Sequence, residues 1–201
     1  MSSAFSGTPH LDLEHEVVFS RRRLQSRIQA MADDITGHYD GRELTVIGLL
    51  NGAVPFVCDL ARAIDLTVRL DFLAISRFDG SPGGEARFLK DLDDDIEGRH
   101  VLLADNIVDT GLNLHFVCTQ LLERQPASLQ VAVLLARPEL RLARLPVRYT
   151  GFEVSEEFLV GYGLDYRGFY RNLPYIARCQ VECEEEDRHG RFRMIPLADS
   201  A

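Results

Sequence analysis

What the chain lacks narrows its class. Cysteine is scarce, with four residues at positions 58, 118, 179 and 183 of 201, too few for a disulfide scaffold. Cys58 and Cys118 fall within apolar helical patterns and are expected as buried thiols. Cys179 and Cys183 lie four apart with His189 beyond, but no second ligand pair follows, so the spacing argues weakly for zinc. No apolar run approaches the roughly 18 residues of a membrane span, and the N-terminus has no apolar leader-like core. The expectation is a protein of the reducing cytoplasm with no membrane partner. Positive charge is short as well: 22 Lys and Arg against 31 Asp and Glu leave a net charge of −9. That balance argues against nucleic acid as a partner, yet leaves room for a local basic pocket around a phosphorylated metabolite. No internal repeat stands out.

What remains is the composition of a globular domain, 46% hydrophobic and 26% charged, with length for one core. Residues 1–13 are small and polar and are expected as a flexible arm. The domain is expected over 14–179, and 180–201 as an acidic tail. From Ser20, a capping residue, the pattern is helical with Leu24, Ile28, Met31 and Ile35 on one face. "ELTVIGLL" reads as a buried strand. "NGAVPFVCDLARAI" reads as a turn at Asn51-Gly52 and a helix that takes Pro55 in its first turn and faces Val57, Leu60, Ala61 and Ile64 inward. "DLTVRLDFLAIS" is a second strand. Gly80, Pro82, Gly83 and Gly84 then break the rhythm, and about 77–92 is expected as a mobile loop or hairpin; loops this long inside a domain are commonly functional. A strand at Val101–Ala104, a turn, and a helix carrying Leu114, Val117, Cys118, Leu121 and Leu122 follow. "SLQVAVLLAR" is a further strand, and "VRYTGFEV" and "FLVGYGLDY" are shorter extended pieces. Strands alternating with helices predict an α/β fold, a mainly parallel twisted sheet flanked by helices. Ligands in such sheets sit at the strands' carboxyl ends, which selects the Asn51-Gly52 turn, the turn around Asp109, and the segment after Leu135.

The stretch "VLLADNIVDTGLNL" (101–114) concentrates the chemistry. A strand ends, Gly111 permits a tight backbone, and a helix begins, so free amides form an anion cradle to which Thr110 and Asn113 add side-chain donors. Asp105 suits ribose hydroxyls or a magnesium ion, since hard cations prefer oxygen. Asp109 is placed to act as a general base over whatever the phosphate anchors. Asp-Thr-Gly also marks aspartic proteases, but those are all-β and need two copies; here one copy precedes a helix. A capping aspartate without a ligand is the remaining alternative.

The stretch resembles the phosphoribosyl pyrophosphate (PRPP) motif of type I phosphoribosyltransferases. "VIGLLNGAVPFVCDLAR", "RLDFLAIS", "LKDLDDDIEGRHVLL", "LPVRYTGFEV", "EEFLVGYGLDY" and "YRNLPYI" are each similar to a block of the hypoxanthine-guanine phosphoribosyltransferases, in that family's order, from about Glu16 to Ala177. The resemblance implies the type I fold with a small hood subdomain, and transfer of 5-phosphoribosyl from PRPP to a purine with release of pyrophosphate and magnesium as cofactor. It also implies a homodimer or homotetramer. By position it makes Asp109 the general base. Thr110, Gly111, Leu112 and Asn113 become the phosphate cradle, with Asp105 and Asn106 at the ribose. Leu50, Asn51 and Gly52, with Arg171, fall at the pyrophosphate. Phe158, Leu159, Arg137 and Asp165 surround the base, Asp105 and Asp165 are metal ligands, and Arg77-Phe78 belongs to the mobile loop.

Five changes, one of them a residue pair, depart from the family. Asn106 stands for the second acid of the pair, Asn113 for a hydroxyl residue, Asn51 for a basic residue, Arg77-Phe78 for Ser-Tyr, and Arg137 for the lysine that reads the purine 6-oxo group. Arginine is longer and forked, so that exchange is not innocent. Three readings follow: ordinary purine salvage, a phosphoribosyltransferase for a non-standard heterocycle, or a non-catalytic PRPP- or nucleotide-binding regulator. A DNA-binding regulator is demoted, because the acidic chain shows no added winged helix and no basic face.

Overall fold

A computed structural model of the chain describes residues 15–76, 87–179, 185–186 and 192–193. The elements run β1 (His15–Phe19), α1 (Arg21–Tyr39), β2 (Leu44–Leu49), α2 (Val54–Ala63), β3 (Val68–Ile75), β4 (Phe88–Lys90), β5 (His100–Val108), α3 (Leu112–Leu122) and β6 (Ser128–Ala136). A 3₁₀ turn at Pro138–Leu140, β7 (Val147–Glu153), β8 (Leu159–Val160), β9 (Ile176–Cys179), β10 (Glu185–Glu186) and β11 (Phe192–Arg193) follow. Six strands form the main sheet in the order β4-β3-β2-β5-β6-β7. All of its neighbours pair in parallel except β4, which runs antiparallel to β3. The stretch expected as a loop or hairpin therefore contributes an edge strand at Phe88–Lys90. Arg77 and Phe78 lie outside the described residues, as do the arm at 1–13, Cys183 and His189.

Burial on both faces explains the near-continuous apolar strands. Alternate residues of each strand feed opposite cores. Val46, Leu102, Ala104 and Leu134 meet α1 and α2 through Leu24, Ile28, Met31, Ile35, Phe56 and Leu60. Ile47, Leu103, Val131 and Val133 meet α3 through Val117 and Leu121. Ser20 caps α1, its hydroxyl accepting from the Arg23 amide, and Arg27 donates to the Thr150 and Gly151 carbonyls at 2.5 and 2.8 Å, tying α1 to β7. β1, β9 and β8 make a separate antiparallel sheet, the hood, over Val160, Ala177 and Cys179.

Several expectations are corrected. The strand expected to end at Ala104 continues to Val108, because β6 supplies pairing as far as Val108↔Ala136. Leu122 is 55% exposed; the inward face of α3 is Leu114, Val117, Cys118 and Leu121. On α2, Phe56 fills the core while Ala61 and Cys58 are only half-buried. β1 and β9 were not anticipated as strands. Replacing Leu121 by Ala should cost about 2–5 kcal/mol of unfolding free energy through a core cavity, and Leu122→Ala about 0.5 kcal/mol or less. Urea unfolding of the two variants reads the difference; equal losses would contradict this face assignment.

Candidate active site

The strand order places β2 and β5 side by side while the chain departs from β2 toward β3 and from β5 toward β6. β2 and β5 pair only as far as Gly48↔Ala104, so Asp105–Val108 of β5 are bonded on the β6 side alone. A crevice opens there at the carboxyl ends of the strands, as the topology requires, and it holds a cavity of about 590 Å³.

The floor of the cavity is the end of β5. Asn106 is 6% exposed and supports the Leu50–Ala53 turn, since a Cβ on Gly52 would come 2.7 Å from the Asn106 Nδ2. The Leu50–Asn51 peptide in that turn is cis. Asp105 accepts from the Asn106 amide at 2.8 Å, and its second carboxylate oxygen takes no hydrogen bond among the described residues. Burial pushes its pKa up to about 7, the Asn106 amide opposes the shift, and the charge of Asp109 adds to it. A second carboxylate at position 106 would add another buried charge beside Asp105. Asn106 avoids that cost.

The turn at Thr110–Asn113 follows. Gly111 adopts φ 80°, ψ 0° and opens α3 as its N-cap, a left-handed conformation that costs other residues. Its carbonyl takes the first helical bond, from His115 at 2.8 Å. With no acidic residue in the first turn of α3, the free amides and positive dipole end face the cavity unopposed. Thr110 and Asn113 border this space and Leu112 does not; Leu112 is 42% exposed on the helix. The Thr110 hydroxyl lies 3.5 Å from the Leu112 amide.

Arg137 leaves the end of β6 and reaches across the cavity. Its Nη1 donates to Asp109 Oδ1 at 2.9 Å, its Nε to the Ser155 carbonyl at 3.0 Å, and its Nη2 to the Glu157 carbonyl. The guanidinium thus joins the candidate base to the loop that carries Phe158 and Leu159. Glu157 in turn pairs with Arg178 of β9, which also holds Glu16 of β1. Phe158 is 40% exposed, stands edge-on to Tyr166 with ring centroids 5.7 Å apart, and offers its carbonyl to Cys179.

Asp165 and Arg171 form the wall opposite β5. Arg171 pairs with Asp165 at 2.7 Å and donates to the Gly163 carbonyl at 2.5 Å, while Asp165 accepts from the Gly168 amide at 2.7 Å. Gly163, at φ +95°, lies against the Gly52 turn so closely that a Cβ would come 1.9 Å from the Gly52 carbonyl oxygen. The segment 161–164 is thereby seated on the turn that the sequence assigns to pyrophosphate.

Of the residues expected at the site, all except Leu112 and the two outside the described range border the one cavity. Sequence reasoning missed its apolar walls, Leu49, Ile75, Ile107, Val108, Leu114 and Leu164; their only signal was position at strand ends. It also missed that Arg137 is held by Asp109. Among the described residues no group of three or more His, Cys, Asp or Glu is arranged to hold a metal alone, and no helix there is long and apolar enough to cross a membrane.

Comparison with known proteins gives this cavity a context. The phosphoribosyl transferase domain model matches residues 19–167. The chain is 42% identical over 169 residues to a hypoxanthine-guanine phosphoribosyltransferase of Mycobacterium avium, covering 80% of this chain and 83% of the relative. It is 38% identical over 168 residues to the Bacillus subtilis protein of the same name, covering 83% and 93%. Among solved structures, a hypoxanthine phosphoribosyltransferase from Staphylococcus aureus superposes with a TM-score of 0.80 at 35% identity over 88% of this chain and 97% of that one. One from Bacillus anthracis gives 0.77 at 37% identity over 81% and 95%. With a match through most of its length and its parallel sheet in common, the chain belongs to the phosphoribosyl transferase domain family.

Proposed function

We propose that the protein transfers the 5-phosphoribosyl group of PRPP to a nitrogen of a 6-oxopurine, hypoxanthine or guanine, releasing pyrophosphate, as a step of purine salvage. The observation that carries this reading is one cavity bordered at once by Asp109, by Thr110, Gly111 and Asn113 of the turn, and by Phe158. The 5-phosphate is bound at Thr110–Asn113, and Asp105 accepts from a ribose hydroxyl. Phe158 lies against the purine ring and Leu159 presents backbone groups to its edge. The bond from ribose C1 to pyrophosphate oxygen breaks as the bond from C1 to the purine nitrogen forms, and Asp109 takes the proton that nitrogen loses. Charge accumulates on the departing pyrophosphate beside the Leu50–Gly52 turn and Arg171, so holding charges in place does most of the work.

Magnesium fits the donor set. Among the described residues Asp105 has a carboxylate oxygen without a hydrogen bond, and Asp165 borders the same cavity; one or two carboxylates plus substrate oxygens and water are a usual magnesium environment. When bound, the ion would neutralise pyrophosphate charge.

Arg137 supports an oxo-bearing acceptor. Three of its five N–H groups are engaged by Asp109, Ser155 and Glu157, which leaves two to donate to an exocyclic oxygen. A specialised heterocycle with an oxo group at the same place is the second reading that this geometry favours.

The deciding experiment is pyrophosphate release from PRPP and magnesium across a panel of bases. Turnover with hypoxanthine or guanine, falling about 10²–10⁴-fold in Asp109→Asn, is expected. Silence with every base, alongside tight PRPP binding by calorimetry, would favour the regulator instead. Arg137→Lys loses the hooks on Ser155 and Glu157, so the KM for the base should rise about ten-fold while that for PRPP stays within about two-fold.

The raised pKa of Asp105 predicts a proton signature. Its folded-state carboxyl, at about 7, holds a proton more tightly than the unfolded value of 3.8. This group's contribution to the stability of the ligand-free fold is therefore full below pH 3.8 and lost as pH rises through 7. Binding magnesium and PRPP needs the carboxylate, so affinity should rise from pH 6 to pH 8, with about half a proton released per site at pH 7. Calorimetry in two buffers of different ionisation enthalpy reads this, and Asp105→Asn should abolish it.

A further inference from the structure

The phosphate turn has no obvious cation of its own. The two arginines that border the cavity are both held by carboxylates, Arg137 by Asp109 at 2.9 Å and Arg171 by Asp165 at 2.7 Å. Asn51 supplies no charge on the Gly52 side, and α3 begins Leu112-Asn113-Leu114 without a Lys or Arg. A 5-phosphate entering at Thr110–Asn113 would therefore meet backbone amides and the neutral side chains of Thr110 and Asn113, with no unpaired cation bordering the cavity beside them.

Behind the turn the situation differs. The segment after β6 doubles back along it, and the Leu142 and Ala143 amides both donate to the Thr110 carbonyl, at 2.9 and 3.1 Å. This clamp carries Arg141 onto Gly111: its Cδ lies 3.2 Å from where a Cβ on Gly111 would stand. The Arg141 Nε is buried without a hydrogen-bond partner, and no ion pair or aromatic ring engages its guanidinium among the described residues. Buried polar groups of folded proteins are satisfied with few exceptions, and an exception asks for a cause. Here a permanently charged, half-buried side chain is packed against the turn read as the anion cradle, with no counter-charge among the described residues.

We propose that Arg141 supplies the positive charge of the 5-phosphate subsite, acting through the Thr110–Gly111 turn from its far side. It does not border the cavity, so it is a positioning and electrostatic residue rather than a catalytic one. Arg141 is half-buried with its Nε enclosed against Gly111, and partly buried charges are screened by salt less than exposed ones. The proposal rests on the reading of this turn as the phosphate cradle. It adds a determinant that favours ligands carrying a 5-phosphate over the corresponding nucleosides.

The test uses Arg141→Met, which keeps an apolar stem against Gly111 and removes the charge, and Arg141→Lys, which restores a charge. Binding of four probes to the full chain is measured by calorimetry: PRPP with magnesium, inosine 5-monophosphate, inosine, and pyrophosphate with magnesium. In Arg141→Met the affinity for PRPP and inosine monophosphate should fall about ten-fold, with inosine and pyrophosphate changed less than about two-fold. Arg141→Lys should recover most of the loss, and the KM for PRPP should rise while kcat holds. An unchanged ratio of inosine monophosphate to inosine affinity in Arg141→Met overturns the proposal, as does a loss shared equally by all four probes, which marks a structural role. If the unsubstituted protein binds neither PRPP nor inosine monophosphate, the phosphoribosyltransferase reading itself falls and this inference with it.

Discussion

The site depends on where strand β5 stops being a two-sided strand. Up to Ala104 it is bonded to β2 on one edge and β6 on the other; beyond it, only β6 remains. An unpaired strand edge in a core would leave backbone groups unsatisfied, so this one has to open on a cavity that solvent or ligand can enter. Asp105, Asn106 and Asp109 are therefore presented by a rigid central strand and its turn, with α3 starting at the next step. The Gly52 turn, seated on Asn106, and Gly163, seated on Gly52, build the opposite wall outward from the same floor.

Charge then ties the hood to that floor. From Asp109 a continuous set of contacts passes through Arg137 to the Glu157 carbonyl, and from the Glu157 carboxylate through Arg178 to Glu16. The outer pairs are largely exposed and contribute little stability each. The inner guanidinium is different: Arg137 is 15% exposed and its planar fork meets three acceptors at once, a geometry an ammonium group does not reproduce. In this chain the position's first duty is to hold Asp109 and the 155–159 loop in register. Only what remains of the fork is left for the acceptor in the proposed reaction.

Much of this was legible in the sequence because it rests on local rules. The α1 stripe, the Pro55 turn of α2 and the start of α3 after Gly111 follow from periodicity, capping and glycine chemistry, and each forms where expected. What failed was non-local. Asp105 and Asn106 look like a strand's polar end, and only pairing with β6 keeps them extended. β1 and β9 become strands by pairing across more than 150 residues, Glu16 opposite Arg178, a relation no window of sequence contains. Leu122 sits one residue beyond Leu121, and a helix turns 3.6 residues per cycle, so a one-residue error moves a leucine from core to solvent.

The departures at the site are coupled through charge. The cavity is bordered by three carboxylates, Asp105, Asp109 and Asp165, and two guanidiniums, Arg137 and Arg171, which leaves −1 when all are ionised. An aspartate at 106 would make that −2 before any phosphate arrived, with no basic residue at 51 to compensate. With Asn106 the balance stays at −1, and it moves toward zero as Asp105 takes up a proton near pH 7. A polyphosphate approaching this cavity thus meets less repulsion than the family's acid pair would present to it with the same Asn51. The neutral residues at 51 and 106, both bordering the cavity, offset one another in this balance. Exchanging either alone for its charged counterpart disturbs a balance that the pair keeps.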